Sequence, residues 1–144
     1  MEILSYVIET GLLVLLGVSA EMDFKNRALG LNFLCISFTV GFVLETACAS
    51  LSLWEMLLGP AVGALLGLIS HLSRGAVGKG DAFMAAVCGA WLGFFKNVFL
   101  LLCSFLIMAV FGMGALVLRK AKVKDSLPFI PFMLAGYVVL LAVY

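Results

Sequence analysis

The sequence predicts an all-α fold: a polytopic membrane domain of six transmembrane helices, with both termini on the outer side. Three observations carry that prediction. Of 144 residues, 65% are hydrophobic and only 12% charged, whereas roughly a quarter are charged in soluble globular domains. Apolar stretches of near-spanning length recur along the chain, and the basic residues collect in alternate loops. No internal repeat, heptad array or polar low-complexity tract interrupts the pattern, so residues 1–144 read as a single domain.

A spanning helix needs about 20 predominantly apolar residues, because the bilayer core offers its backbone no hydrogen-bonding partner. Residues 3–20 form the first candidate. Glu2 and the lack of an early Lys or Arg distinguish this run from a cleavable signal peptide, so it is expected to remain as a helix. Residues 31–50 and 57–72 follow, with Trp54 between them as an interfacial anchor. Residues 82–95 and 98–118 are separated by a tight turn at Lys96 and Asn97, and residues 129–144 complete the set.

Orientation follows from where Lys and Arg are retained. The loops after the first, third and fifth spans hold Lys25, Arg27, Arg74, Lys79, Arg119, Lys120, Lys122 and Lys124, whereas the opposite side holds Lys96 alone. Those loops therefore face the cytoplasm. The net charge of +1 argues against a nucleic-acid partner, since phosphate neutralisation needs a concentrated basic surface. Cys35, Cys48, Cys88 and Cys103 lie in apolar stretches without C-x-x-C spacing, as expected of core residues. Glu2, Glu45 and Glu55 fall near helix ends on the outer face and are given no catalytic role.

Two cytoplasmic loops combine carboxylates with basic residues. The first reads Glu21-Met22-Asp23-Phe24-Lys25-Asn26-Arg27, and the second Gly75-Ala76-Val77-Gly78-Lys79-Gly80-Asp81. Both follow outside-to-inside spans, so Asp23 and Asp81 lie at similar depth and can face one another. Two close carboxylates cannot readily both ionise; one then serves as base on a water and the other as acid, as in aspartic proteases. Gly78 and Gly80 would let the backbone approach closely or take angles closed to other residues. Plainer readings stand beside this one. Asp81 fits the N-cap of the following helix, Asp23 fits an ordinary ion pair with Lys25 or Arg27, and Glu21 competes for the same role. Glu9, in mid-span, suits a structural hydrogen bond or a neutral carboxyl. His71 at a helix end reads as an interfacial or capping group.

Gly78-Lys79-Gly80-Asp81 resembles the GxGD signature of membrane aspartyl proteases, and residues 82–93 resemble its type IV prepilin peptidase form. Asp23 to Leu29 is similar to the family's first aspartate with its basic run, and residues 127–136, containing Pro128, Phe129, Pro131 and Phe132, resemble its PFxPF segment. The resemblance covers residues 7–140. It implies a membrane endopeptidase with Asp23 and Asp81 as the catalytic pair, supported by Gly78, Lys79, Gly80 and the PFxPF residues. The substrate would be a type IV prepilin or pseudopilin, cut at the cytoplasmic membrane face between a short basic leader and the apolar pilin helix. Lys25, Arg27 and Lys79 would repel such a leader, which makes Glu21 the better candidate for contacting it.

The chain departs from the family pattern at Leu29-Gly30-Leu31, where Ile-Pro-Asn is common, and at Phe83, where Lys is common. Without the cysteine-rich domain of longer bifunctional members, the resemblance implies no N-methylation, and no zinc, S-adenosylmethionine or other cofactor. Two other classes fit the residues less well. One is a small proton- or cation-coupled transporter using the same aspartates. The other is a catalytically silent pilus assembly factor.

Overall fold

The computed structural model describes residues 2–26, 30–48, 51–73, 78–118 and 128–144, without the side chains of Glu2, Leu4 and Asn26. Arg27 to Leu29, Arg74 to Val77 and Arg119 to Leu127, on which part of the charge and motif reading falls, lie outside the described residues. Five helices follow in order: α1 (Glu2–Asn26), α2 (Leu31–Cys48), α3 (Leu53–Leu72), α4 (Lys79–Val117) and α5 (Ile130–Val143). No strand occurs among the described residues. By length and composition α2, α3 and α4 can each cross a membrane, and α5 is a shorter apolar helix.

Local chemistry explains where the helices begin and end. α1 runs past the expected end at residue 20, because residues 21–26 hold neither Gly nor Pro and Lys25 pairs with Glu21 one turn back at 2.6 Å. α3 starts four residues earlier than expected because Ser52 and Glu55 form a capping box: the Glu55 amide donates to Ser52 Oγ and the Ser52 amide to the Glu55 carboxylate. Trp54 therefore belongs to the first turn of α3, where it is exposed. α5 opens with Pro131 in its first turn, where its missing N–H costs no helical hydrogen bond. Within the apolar helices Ser19, Ser37, Thr39 and Ser104 each donate to the carbonyl four residues back, so their hydroxyls are satisfied inside their own helix.

α4 corrects the expected turn at Lys96 and Asn97. The break falls at Gly93, whose φ of 73° lies where L side chains are strained, and a helical arm leaves on either side. Asn97 Nδ2 donates to Ala85 O and to Gly59 O, both at 3.1 Å. Twelve residues of straight helix would hold positions 85 and 97 about 18 Å apart, so the second arm folds back beside the first. The buried Asn97 amide clamps this hairpin and ties it to α3.

α4 is also the hub of the bundle, packing on α3, α5 and α2, while α1 rests mainly on α5. The α3–α4 seam is backbone against backbone. A Cβ on Gly59 would strike the Gly89 carbonyl, one on Gly89 the Gly59 carbonyl, and one on Gly63 the Ala86 backbone. Small residues at such a seam let the helices approach closely. Trp91 is the wedge on the other side, its ring filling the space above Gly11 of α1 and Gly41 of α2 while its indole N–H donates to Ser37 O at 3.0 Å. Gly136 of α5 sits against Ser104 and Leu100 of the second arm. Tyr137, fully buried, donates its hydroxyl to Glu9 O at 3.0 Å and so ties α5 to α1.

The interior centres on Leu12, Leu16, Met84, Val87, Leu100 and Met133, all fully buried, and large apolar side chains such as Ile36, Leu65, Leu106 and Val138 cover the outside. A bundle solvated by lipid has such a surface. It also explains why only Cys88 of the four cysteines is a core residue: Cys35 is exposed, and Cys48 and Cys103 are half-buried, since an apolar residue has no need to turn inward there. Glu45 lies in the last turn of α2, near the helix end as expected, and is buried there.

Candidate active site

Asp23 sits on the last turns of α1 and Asp81 in the first turn of α4; both are half-buried, with Asp23 Oδ2 inaccessible. The fold brings them together: Asp23 lies close enough for its charge to act directly on Asp81. The end of α1 contributes Asp23 because the helix continues beyond its apolar run. Asp81 is placed by the helix start at Gly78, whose carbonyl accepts the Ala82 amide at 3.1 Å.

The simple capping reading of Asp81 is not what the structure has. The N-cap is Gly78, with no side-chain capping bond, and Asp81 is three residues further on. Its carboxylate folds back over Gly78, where a Cβ would stand 2.6 Å from Oδ2. That is the structural need for glycine at 78, and it is steric, since φ −61° and ψ 135° suit any residue. A Cβ on Gly80 would meet nothing within 4 Å. The expectation that both glycines serve unusual backbone angles or close approach is therefore corrected: one makes room for the carboxylate, and the other faces open space.

Glu21 and Lys25 form an exposed pair one turn apart, each two residues from Asp23 and so on the other side of α1 from it. The hydrogen bond and charge of Lys25 hold the Glu21 carboxylate below its ordinary range. Lys79, at the start of α4, is exposed. In the PFxPF segment, Phe129 is buried and stacks on Phe105 at 4.8 Å between ring centroids, while Phe132 meets Phe111 at 5.5 Å. Pro128 is half-buried and Pro131 opens α5. The motif thus anchors α5 to the second arm of α4.

Sequence reasoning missed Asn97 and Trp91. An amide inside an otherwise apolar run was the available signal for the first; nothing in the spacing marked Trp91 as the α1–α2 wedge. At the opposite end of the bundle, a cavity of about 350 Å³ is lined by Glu9, Lys96, Tyr137 and Tyr144 among others. Glu9 therefore belongs to a separate polar pocket, away from the aspartates.

The arrangement is an apolar helical bundle with two neighbouring carboxylates at one end, the kind of groups that acid–base chemistry on water draws on. A profile of the type IV leader peptidase family matches residues 10–113. The chain belongs to the type IV leader peptidase family. It is similar to a prepilin leader peptidase/N-methyltransferase of Aeromonas salmonicida, at 39% identity over 45% of this chain and 23% of that protein. The protein of the same name from Aeromonas hydrophila is 38% identical over the same shares, and that of Bacillus subtilis 37% identical over 56% of this chain and 33% of its own length. The stretches matched thus span between 23% and 33% of these relatives. No solved structure matches the chain.

Proposed function

We propose that the chain is a membrane aspartyl endopeptidase that removes the short basic leader of type IV prepilins or pilin-like precursors. The observation that carries this reading is the meeting of Asp23 and Asp81 at one end of an apolar bundle. Family membership and the names of the relatives support the same activity. The bundle crosses the cytoplasmic membrane six times, the two arms of α4 counting separately, with both termini outside and the aspartates at the cytoplasmic face. The excess of Lys and Arg in alternate loops supports that orientation. Residues 1–144 act as one domain.

In the mechanism one aspartate, ionised, takes a proton from a water held between the pair, and that water attacks the scissile carbonyl. The other, protonated, donates to the carbonyl oxygen, and the leaving amine is protonated as the tetrahedral intermediate collapses. The chemistry calls on the two carboxylates and water. Gly78 keeps the space into which Asp81 folds, and Pro128, Phe129, Pro131 and Phe132 hold α5 against the arm of α4 that supports the site. Glu21 receives the basic leader, in exchange for its Lys25 partner.

The direct test is co-expression with a pilin precursor, comparing precursor size for wild type, Asp23→Asn and Asp81→Asn. Shortening by the wild type that disappears in both variants is the expected outcome. Shortening that survives in either variant rejects the two-aspartate mechanism.

A further inference from the structure

At the end of the bundle opposite the aspartates, the cavity of about 350 Å³ brings together two charges that the candidate active site does not use. Glu9 comes from α1 and Lys96 from α4 just beyond its break at Gly93, with Tyr6 of α1 and Tyr137 and Tyr144 of the α5 end beside them. Both charges are half-buried, yet among the described residues neither enters a salt bridge. The Tyr137 hydroxyl takes the Glu9 backbone carbonyl and not its carboxylate, and Lys96 Nζ lies 5.9 Å from the centre of the Tyr144 ring. Glu55, engaged in its capping box, is near enough to feel Lys96 but forms no ion pair with it. Ionisable groups in an apolar bundle are costly and are ordinarily paired. Of the nine Lys and Arg, Lys96 alone falls outside the loops after the first, third and fifth predicted spans. A second groove, apolar but for Thr10 and the Tyr6 hydroxyl, adjoins this cavity along one face of α1, lined by Ile3, Tyr6, Val7, Thr10, Gly11 and Val14. Tyr6 lines both. From Ile3 to Val14 the groove covers about 16 Å at 1.5 Å per residue, close to half of the ~30 Å hydrocarbon core.

We propose that this cavity and groove bind one phospholipid with a zwitterionic, amine-bearing head group: its ammonium meets Glu9, its phosphate meets Lys96, and an acyl chain lies along α1 from Tyr6 toward Val14. Charge selects the head group. A lipid with a phosphate and no amine leaves Glu9 facing a like charge, whereas a purely cationic amphiphile leaves Lys96 without a partner. The tyrosine rings add aromatic faces that favour an ammonium. Volume separates head from tails, because the cavity lies at the low end of the roughly 300–1,000 Å³ of ligand pockets and the chains must leave it past Tyr6. The groove that receives them has the length of one leaflet, so the acyl chain keeps its ordinary depth. A small soluble amino phosphate would satisfy the same two charges but leave the groove unused; continuity through Tyr6 makes the occupant a lipid. Glu9, Lys96 and Tyr144 come from three separate parts of the bundle, so the head group staples α1, α4 and the end of α5 where Tyr137 already ties α5 to α1. This site is independent of the peptidase reading.

The test purifies the full chain in detergent, strips its lipid and titrates it by native mass spectrometry with phosphatidylethanolamine and, separately, with phosphatidylglycerol, which has the phosphate without the amine. Expected is one phosphatidylethanolamine per chain, held at least about tenfold tighter than phosphatidylglycerol. Glu9→Gln and Lys96→Gln should each weaken it at least about fivefold, with lipid-free melting like wild type. In a second arm, which needs no variant and decides the matter should either substitution unfold the chain, phosphatidylethanolamine carrying a diazirine in one acyl chain is photo-cross-linked to wild type. Its adducts should concentrate on residues 3–14. In a third, glycerophosphoethanolamine, the head group without its chains, should leave the bound lipid in place even at large excess. Equal affinity for the two lipids, unchanged binding in both folded variants, adducts spread evenly over the lipid-facing helices, or displacement by the deacylated head group would each overturn the proposal.

Discussion

The two glycines of the Gly78-Lys79-Gly80-Asp81 stretch should separate cleanly on substitution by alanine. In Gly78→Ala the new Cβ stands 2.6 Å from Asp81 Oδ2, so the atoms must part by roughly 1 Å to reach ordinary van der Waals separation. The backbone at 78 already suits alanine, and a side-chain end is the softer of the two partners, so it is the carboxylate that moves. Stability should fall by no more than about 1 kcal/mol, the usual scale of an off-rotamer side chain. Activity should suffer far more: a misplacement of this size at a reacting group costs on the order of 100-fold, about 2.7 kcal/mol of barrier. Gly80→Ala meets nothing within 4 Å and lies in the first turn of α4. It should leave cleavage near wild type and stabilise α4 by about 0.4–1 kcal/mol. The assay is kcat/KM on a tagged precursor in detergent, beside thermal melts of both variants. Full activity in Gly78→Ala, or equal inactivation by both substitutions, would refute the steric role assigned to Gly78.

Three further substitutions test the scaffold. Gly63→Leu drives a side chain into the Ala86 backbone and should cost upward of about 3 kcal/mol, beyond ordinary overpacking, whereas Gly17→Ala, in open space inside α1, should melt at or slightly above wild type. Trp91→Phe keeps most of the wedge but loses the donor to Ser37 O; a loss of about 1 kcal/mol is expected, and Trp91→Ala should cost about 3–5 kcal/mol. Asn97→Leu keeps the volume and removes both bonds of the α4 hairpin, for a loss of about 1–2 kcal/mol on the scale of polar bonds between membrane helices, read by chemical denaturation in detergent.

Much of this molecule was legible in its sequence because the bilayer constrains it so strongly. Apolar runs announced the helices, and the placement of Asp23 and Asp81 just beyond two of those runs announced that they share one end. Boundaries were harder. The first helix overran its apolar stretch through residues that only a helical ion pair makes visible, and α3 begins at the Ser52–Glu55 capping box, a polar pattern that apolar runs do not register. The reversal was assigned to Lys96 and Asn97 because polar residues mark turns in most contexts. Gly93 carries it instead, and the amide turns inward, since a buried Asn has two carbonyls to satisfy in a medium without water. Contacts set by tertiary packing, such as the space Gly78 keeps for Asp81 and the ring of Trp91 over Gly11 and Gly41, leave no periodic trace and emerge only from the fold.

The fold-back of α4 has a bearing on when this site can exist. Its two arms are neighbours in sequence, clamped through Asn97, so the hairpin can form as an early and self-contained unit once both arms have been synthesised. Asp81 comes with that unit, whereas Asp23 comes from α1, which rests mainly on α5 through contacts such as Tyr137 to Glu9 O and touches α4 at Trp91. α5, made after both aspartates, thus supplies much of the packing that holds α1 in the bundle. Chains cut short before α5 should therefore carry both aspartates without the packing that sets one beside the other.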